Sequence, residues 1–128
     1  MDDVFVARVM SNELHTVDDD ATVSTAAGRM LEAGVGSVLV VDAADRLRGL
    51  LTATDFVRLV RENDPEDETP VGDAMTTDVV TVGPQDTLSD VADLLTTAGY
   101  SHYPVTTTDD EVIGMLSTTD LTAHLAGL

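Results

Sequence analysis

Two short stretches carry the residue types that could do chemistry. Gly49-Leu50-Leu51-Thr52-Ala53-Thr54-Asp55 and Gly114-Met115-Leu116-Ser117-Thr118-Thr119-Asp120 each place a hydroxyl three residues ahead of a carboxylate. At a helix start, that spacing makes a cap: the hydroxyl takes an orphan N–H, and the acid suits the positive end of the helix dipole. His15 and His124 read as surface or packing residues. The run Asp18-Asp19-Asp20 lacks the alternating ligands and glycine of a calcium loop, so it reads as a solvated acidic turn. No glycine-flanked serine elbow is present. A phosphate loop of the Walker type is impossible without lysine. Carboxylates abound without forming a catalytic constellation, so the chain reads as non-catalytic.

The elements that must hold these stretches occur twice. Shifted by 65 residues, the chain matches itself without a gap: Met10 falls on Met75, Thr16-Val17 on Thr81-Val82, Ala33-Gly34 on Ala98-Gly99, Gly49 on Gly114 and Thr54-Asp55 on Thr119-Asp120. Chance does not give that register over so long a span, and such repeats are the first feature to establish in a chain. Val23, Ala26, Ala27, Met30 and Leu31 recur at helical spacing, with Thr22 placed to cap and Gly34 to end the helix. Leu88, Val91, Ala92 and Leu95 repeat the pattern between Thr87 and Gly99. A valine-rich run, Ser37 to Val41, and the stretch Leu47 to Thr52 flank a turn and predict a hairpin; Tyr103 to Thr106 and Val112 to Ser117 predict its copy. A closing helix follows each, the first burying Phe56, Leu59 and Val60. Leads at Val4 to Met10 and Val71 to Met75 precede short strands at His15 to Val17 and Val80 to Val82. Met10, Met30, Met75 and Met115 read as core filler.

The polar, proline-bearing stretch Glu62 to Pro70 reads as a linker. The resulting division is residues 1–62, linker 63–70 and residues 71–128. A unit of about 60 residues is marginal alone. The expectation is therefore one α+β body: two β-α-β-β-α units related by a pseudo-twofold, sheets packed against each other and helices outside.

Composition excludes several classes. The 128 residues hold 24 Asp and Glu against 6 Arg and no Lys, a net charge of −18. No basic face is available for nucleic acid or anionic lipid. No apolar run approaches the roughly 20 residues of a membrane span. The acidic Met1-Asp2-Asp3-Val4 start lacks a signal-peptide pattern, which points to the cytoplasm. Cysteine is absent. Such a charge self-repels in dilute buffer and is screened at molar salt, so the composition points to an extreme halophile, an archaeon.

The doubled pattern resembles a tandem pair of CBS domains, the Bateman module, from about Val4 to Leu125. The resemblance rests on the element order, on leads ending in Met and followed by Thr-Val strands, and on the two Gly-to-Asp stretches 65 residues apart. It implies a non-catalytic sensor that holds an adenosyl ligand (AMP, ADP, ATP or S-adenosylmethionine, with Mg²⁺ for the more anionic ones) in the cleft between units. It also implies a homodimer that signals to a protein partner, with no nucleic acid or membrane involved. In that family the motif Asp holds the ribose hydroxyls and the Thr or Ser faces phosphate; a carboxylate can accept both hydrogen bonds of a vicinal diol. Carried over, the second copy offers Thr81, His102, Tyr103, Pro104, Ser117, Thr119 and Asp120, and the first Thr16, Ser37, Val38, Thr52 and Asp55.

Departures from the family pattern rank the second site above the first. Leu39 stands where a proline is expected, and neither motif Asp has a basic neighbour. Asp18-Asp19-Asp20 follow Thr16 where the second copy has Gly83-Pro84-Gln85, and His102 beside Tyr103 could titrate against a phosphate or simply sit at a strand edge. Scarce positive charge favours AMP or a sulfonium nucleoside over a triphosphate without Mg²⁺. The alternative is a ligand-free module for protein interaction.

Overall fold

The computed structural model describes residues 4–65, 67–98 and 102–127. In chain order the elements are α1 (Val6–Val9), β1 (Thr16–Asp18), α2 (Val23–Ala33), β2 (Ser37–Val41), β3 (Leu47–Thr52), α3 (Ala53–Arg61), α4 (Val71–Ala74), α5 (Leu88–Ala98), β4 (His102–Thr106), β5 (Val112–Ser117) and α6 (Thr118–Ala126). The mixed α+β class and the repeated order are as the sequence predicts. No helix among the described residues is long and apolar enough to cross a membrane.

Capping chemistry sets the helix ends. The Thr22 hydroxyl accepts from Thr25 N at 3.2 Å, and Gly34 closes α2 at φ 68°, a left-handed conformation that glycine adopts without a Cβ penalty. Thr87 accepts from Asp90 N at 3.3 Å in the second copy. Gly99, the expected terminator there, lies outside the described residues.

The chain forms two compact units, residues 15–79 and residues 1–14 with 80–128. Repeats and units differ by an exchange of leads. In the 15–79 unit, Val71 N donates to Ala21 O at 2.7 Å, Val23 N to Thr69 O at 2.9 Å and Thr76 N to Leu50 O at 2.8 Å. In the other unit, the corresponding bonds run from Val6 N to Asp86 O at 2.9 Å, Leu88 N to Val4 O at 2.9 Å and Ser11 N to Met115 O at 2.8 Å. Each lead therefore packs on the repeat it does not precede in sequence: 71–76 on the first, 4–11 on the second. The end of the linker is consequently pinned to the start of α2.

The two cores obey the 65-residue shift. Val17, Ala26, Val38, Val40, Leu51 and Val71 are buried in one, and Val82, Val91, Tyr103, Val105, Leu116 and Val6 in the other. Two expected core residues lie outside: Leu31 is 83% exposed and Val60 72%. They sit on flanks of α2 and α3 that their own unit leaves uncovered, whereas Phe56 is half-buried and Leu59 buried.

The sheets are not identical. In the 15–79 unit, β1 runs parallel to β2 with Thr16 opposite Leu39, and β2 is antiparallel to β3 with Ser37 opposite Thr52. In the other unit, β4 and β5 pair with His102 opposite Ser117, but the expected strand Val80 to Val82 reduces to a single bridge, Val82 to Val105. Two prolines explain the loss. Leu39 N donates to His15 O at 2.9 Å and Asp19 N to Val41 O at 3.1 Å. The corresponding positions are Pro104 and Pro84, which have no N–H, so neither ladder bond can form.

Candidate functional site

The two Gly-to-Asp stretches become strand-to-helix corners. Thr52 and Ser117 are the N-caps of α3 and α6, and both corners close as capping boxes. Asp55 N donates to Thr52 Oγ1 at 3.4 Å while Thr52 N donates to Asp55 Oδ2 at 2.9 Å. Asp120 N donates to Ser117 Oγ at 3.0 Å while Ser117 N donates to Asp120 Oδ2 at 2.9 Å. The capping role expected from residue type alone is therefore filled at both, and it occupies one carboxylate oxygen in each.

The other oxygen distinguishes them. Asp55 Oδ1 accepts from the Arg58 guanidinium at 2.9 Å and from the Thr76 hydroxyl at 2.9 Å, and Asp55 is only 3% exposed. Arg58 and Thr76 correspond by the repeat to Ala123 and Ser11. Alanine has no donor, and the Ser11 hydroxyl instead accepts from Glu13 N at 3.4 Å. Asp120 Oδ1 thus has no partner among the described residues, and Asp120 is only half-buried.

A cavity lies beside each Asp. One of about 470 Å³ is lined by Asp55, Arg58, Leu59, Glu62, Asp73 and Ala74, among others. One of about 570 Å³ is lined by Asp120, Ala123, His124, Gly127, Arg8 and Val9. These sets are the same six positions under the 65-residue shift. Four come from one face of α3 or α6, at i, i+3, i+4 and i+7. Two come from the exchanged lead, α4 or α1.

The other sequence-predicted residues divide between these corners, the core and the surface. Ser37 is opposite Thr52, and exposed His102 opposite Ser117, so each lies at the strand end leading into its corner. Thr119 is exposed in the first turn of α6. Tyr103 and Val38 are fully buried core residues, so their side chains do not line either cavity. Pro104 is buried, and its carbonyl accepts from Val82 N at 3.0 Å. Thr16 opens β1, and its carbonyl accepts from Arg29 Nη1. Thr81 is exposed and outside any strand. Sequence reasoning passed over Arg8, Arg58 and Thr76, and it read His124 as surface or packing. The helical spacing Asp120 to His124 was available as a signal; the reach of the lead across repeats was not. No group of three or more potential metal ligands occurs among the described residues.

The CBS domain model matches residues 6–62 and again 71–127. The chain belongs to the CBS domain family. An uncharacterized 17.7 kDa protein of Acidianus ambivalens is 28% identical over 94% of this CBS chain and 72% of its own length. The structure of CBSX2 in complex with AMP superposes with a TM-score of 0.85 at 25% identity, covering 96% of each chain. The CBS domain pair of protein MJ0100, in complex with 5′-methylthioadenosine and S-adenosyl-L-methionine, shares the fold with a TM-score of 0.84 at 20% identity over 97% of each chain. The CBS chain spans only 40% of an uncharacterized Methanocaldococcus jannaschii protein and 24% of a Methanococcus vannielii homoserine O-acetyltransferase.

Proposed function

We propose that this CBS domain pair is a regulatory module, not an enzyme, that binds an adenosyl ligand at Asp120 and passes the signal to a partner. One observation carries this reading: among the described residues, the Asp120 carboxylate keeps one oxygen uncommitted beside a cavity of about 570 Å³. An acceptor so placed can take ribose hydroxyls without breaking the cap that positions it. The AMP held by CBSX2 supports the same ligand class. Ser117, Thr119 and His102, grouped at the same corner, are the further contacts proposed, with Thr81 and the backbone of Tyr103-Pro104 framing the base. In the first copy Thr16, Ser37, Val38, Thr52 and Asp55 are the formal counterparts.

A monophosphate or a sulfonium nucleoside suits the scarce positive charge better than ATP, which would need Mg²⁺ as its own counter-charge. The exposed Leu31, Val57 and Val60, 83%, 68% and 72% accessible on α2 and α3, support association into a homodimer. The net charge of −18 supports work in a salt-filled cytoplasm of a haloarchaeon. The division into repeats at 1–62 and 71–128 with linker 63–70 is kept for the sequence. A second reading, a ligand-free interaction module, is favoured at the first copy alone, where Arg58 and Thr76 already saturate Asp55.

The test is thermal unfolding in about 2 M KCl against AMP, ADP, ATP and S-adenosylmethionine, with and without Mg²⁺. A ligand at 100 times its dissociation constant adds about 2.7 kcal/mol and raises the midpoint. No shift with any of the four overturns the sensor reading.

A further inference from the structure

The two cavities are one site built twice with different charge: five carboxylates and one arginine line the first, one of each the second. Around Asp55 stand Glu62, Asp64, Glu68 and Asp73, and the single cation, Arg58, is already bonded to Asp55. Around Asp120, the position of Asp73 is held by Arg8, that of Glu62 by Gly127 and that of Arg58 by Ala123. Two acids have become a cation and a glycine. Arg8 is exposed on α1 and forms no ion pair among the described residues. It is also the one arginine of the unit formed by residues 1–14 and 80–128.

We infer that Arg8, delivered by the exchanged N-terminal lead, is the anion-selecting residue of the Asp120 site, which takes a ligand with a vicinal diol and one phosphate, and that the Asp55 cavity rejects that ligand. The inference rests on the adenosyl reading above and adds which copy binds and what discriminates. A guanidinium presents several N–H donors in a plane that matches two phosphate oxygens, and it stays charged at every working pH. The diol falls to Asp120 Oδ1, the phosphate to Arg8. In the Asp55 cavity, carboxylates outnumber the one cation, and the phosphate would meet like charge.

The experiment is titration calorimetry in about 2 M KCl with AMP and, separately, adenosine, on the wild-type chain, Arg8→Gln and Asp120→Ala. The wild type is expected to bind one AMP per chain, at least tenfold tighter than adenosine. Arg8→Gln should lose that preference, with AMP weakened tenfold or more and adenosine within twofold of wild type. Asp120→Ala should weaken both. Equal wild-type affinities, two AMP per chain, or an Arg8→Gln variant that still prefers AMP overturns the inference while leaving the adenosyl reading in place. A wild type that binds neither compound overturns the inference, and the unfolding series with ADP, ATP and S-adenosylmethionine then decides the adenosyl reading. Unfolding midpoints without ligand check that each variant is folded.

Discussion

Asp55 and Asp120 are the same residue of the same motif, 65 positions apart, yet the Asp55 carboxylate accepts from Thr52 N, Thr52 Oγ1, Arg58 and Thr76, while that of Asp120 accepts from Ser117 N alone among the described residues. The difference follows from two substitutions, Arg58 to Ala123 and Thr76 to Ser11, one on the closing helix and one on the exchanged lead. One copy has become a structural corner; the other keeps an acceptor in reserve.

Stability should separate the two. Asp55→Asn removes a buried acceptor of charge-assisted bonds and should cost about 2–3 kcal/mol. Asp120→Asn disturbs one half-buried cap bond and should cost less than about 1 kcal/mol, while abolishing adenosyl-ligand binding. Urea unfolding in KCl measures the first pair of values and calorimetry the second. Equal destabilisation by both variants would contradict the assignment of roles.

The motif glycines should resist substitution, for a reason that lies in the exchanged leads. A Cβ on Gly49 would sit 2.7 Å from Met75 Sδ and 2.7 Å from the Thr76 carbonyl oxygen; on Gly114 it would sit 2.5 Å from Met10 Sδ and 3.1 Å from Ser11 O. A methionine side chain can move aside, but a backbone carbonyl cannot move without its ladder. Gly49→Ala should therefore cost about 1–3 kcal/mol by overpacking, and Gly114→Ala less. Pairing Gly114→Ala with Met10→Ala should recover part of the packing loss in a double-mutant cycle, and strict additivity would deny the contact.

Acid should weaken the first hairpin through Asp42. Its carboxyl is held below the ordinary 3.8 chiefly by the Arg46 backbone N–H, against an opposing effect of desolvation, with the Ala44 N–H and the Arg46 guanidinium adding to the lowering. A depressed carboxylate stabilises the fold above its unfolded pKa, and that contribution fades as pH falls through the folded value. The stability gap between wild type and Asp42→Asn should thus be constant above pH 3.8 and close below it. Thr107 occupies the equivalent turn, where its hydroxyl accepts from Asp109 N and Glu111 N at 3.3 Å, and it carries no such titration.

Salt should stabilise the whole chain. With −18 net charge, self-repulsion is long-ranged in dilute buffer, and the screening length falls to about 3 Å at 1 M salt. The unfolding midpoint should rise steadily from about 0.1 M to about 2 M KCl. A flat profile would remove the argument for a salt-filled cytoplasm.

Much of this was legible in the sequence because it is local. The 65-residue match places the hairpin strands and the two longer helices of each copy, and hydrophobic periodicity names most of both cores. Side-chain capping at Thr22, Thr52 and Ser117 follows from residue type and spacing. Leu31 and Val60 were misplaced because periodicity marks an apolar flank without saying whether anything covers it. The strand at Val80 to Val82 was overcalled because its missing bonds depend on Pro104 and Pro84, which reveal their effect only when set against the N–H groups of Leu39 and Asp19.

The amino-acid sequence alone determined the repeat, the element order, the two capped corners and the charge, since each is set by neighbours within a few residues or by composition. Which lead closes which corner was decided only in three dimensions. Hydrogen bonds from Val6 to Asp86 and from Ser11 to Met115 join residues 80 and 104 positions apart, and no local pattern encodes that pairing. It is this long-range pairing that sets Met10 against Gly114 and brings Arg8 to the cavity beside Asp120.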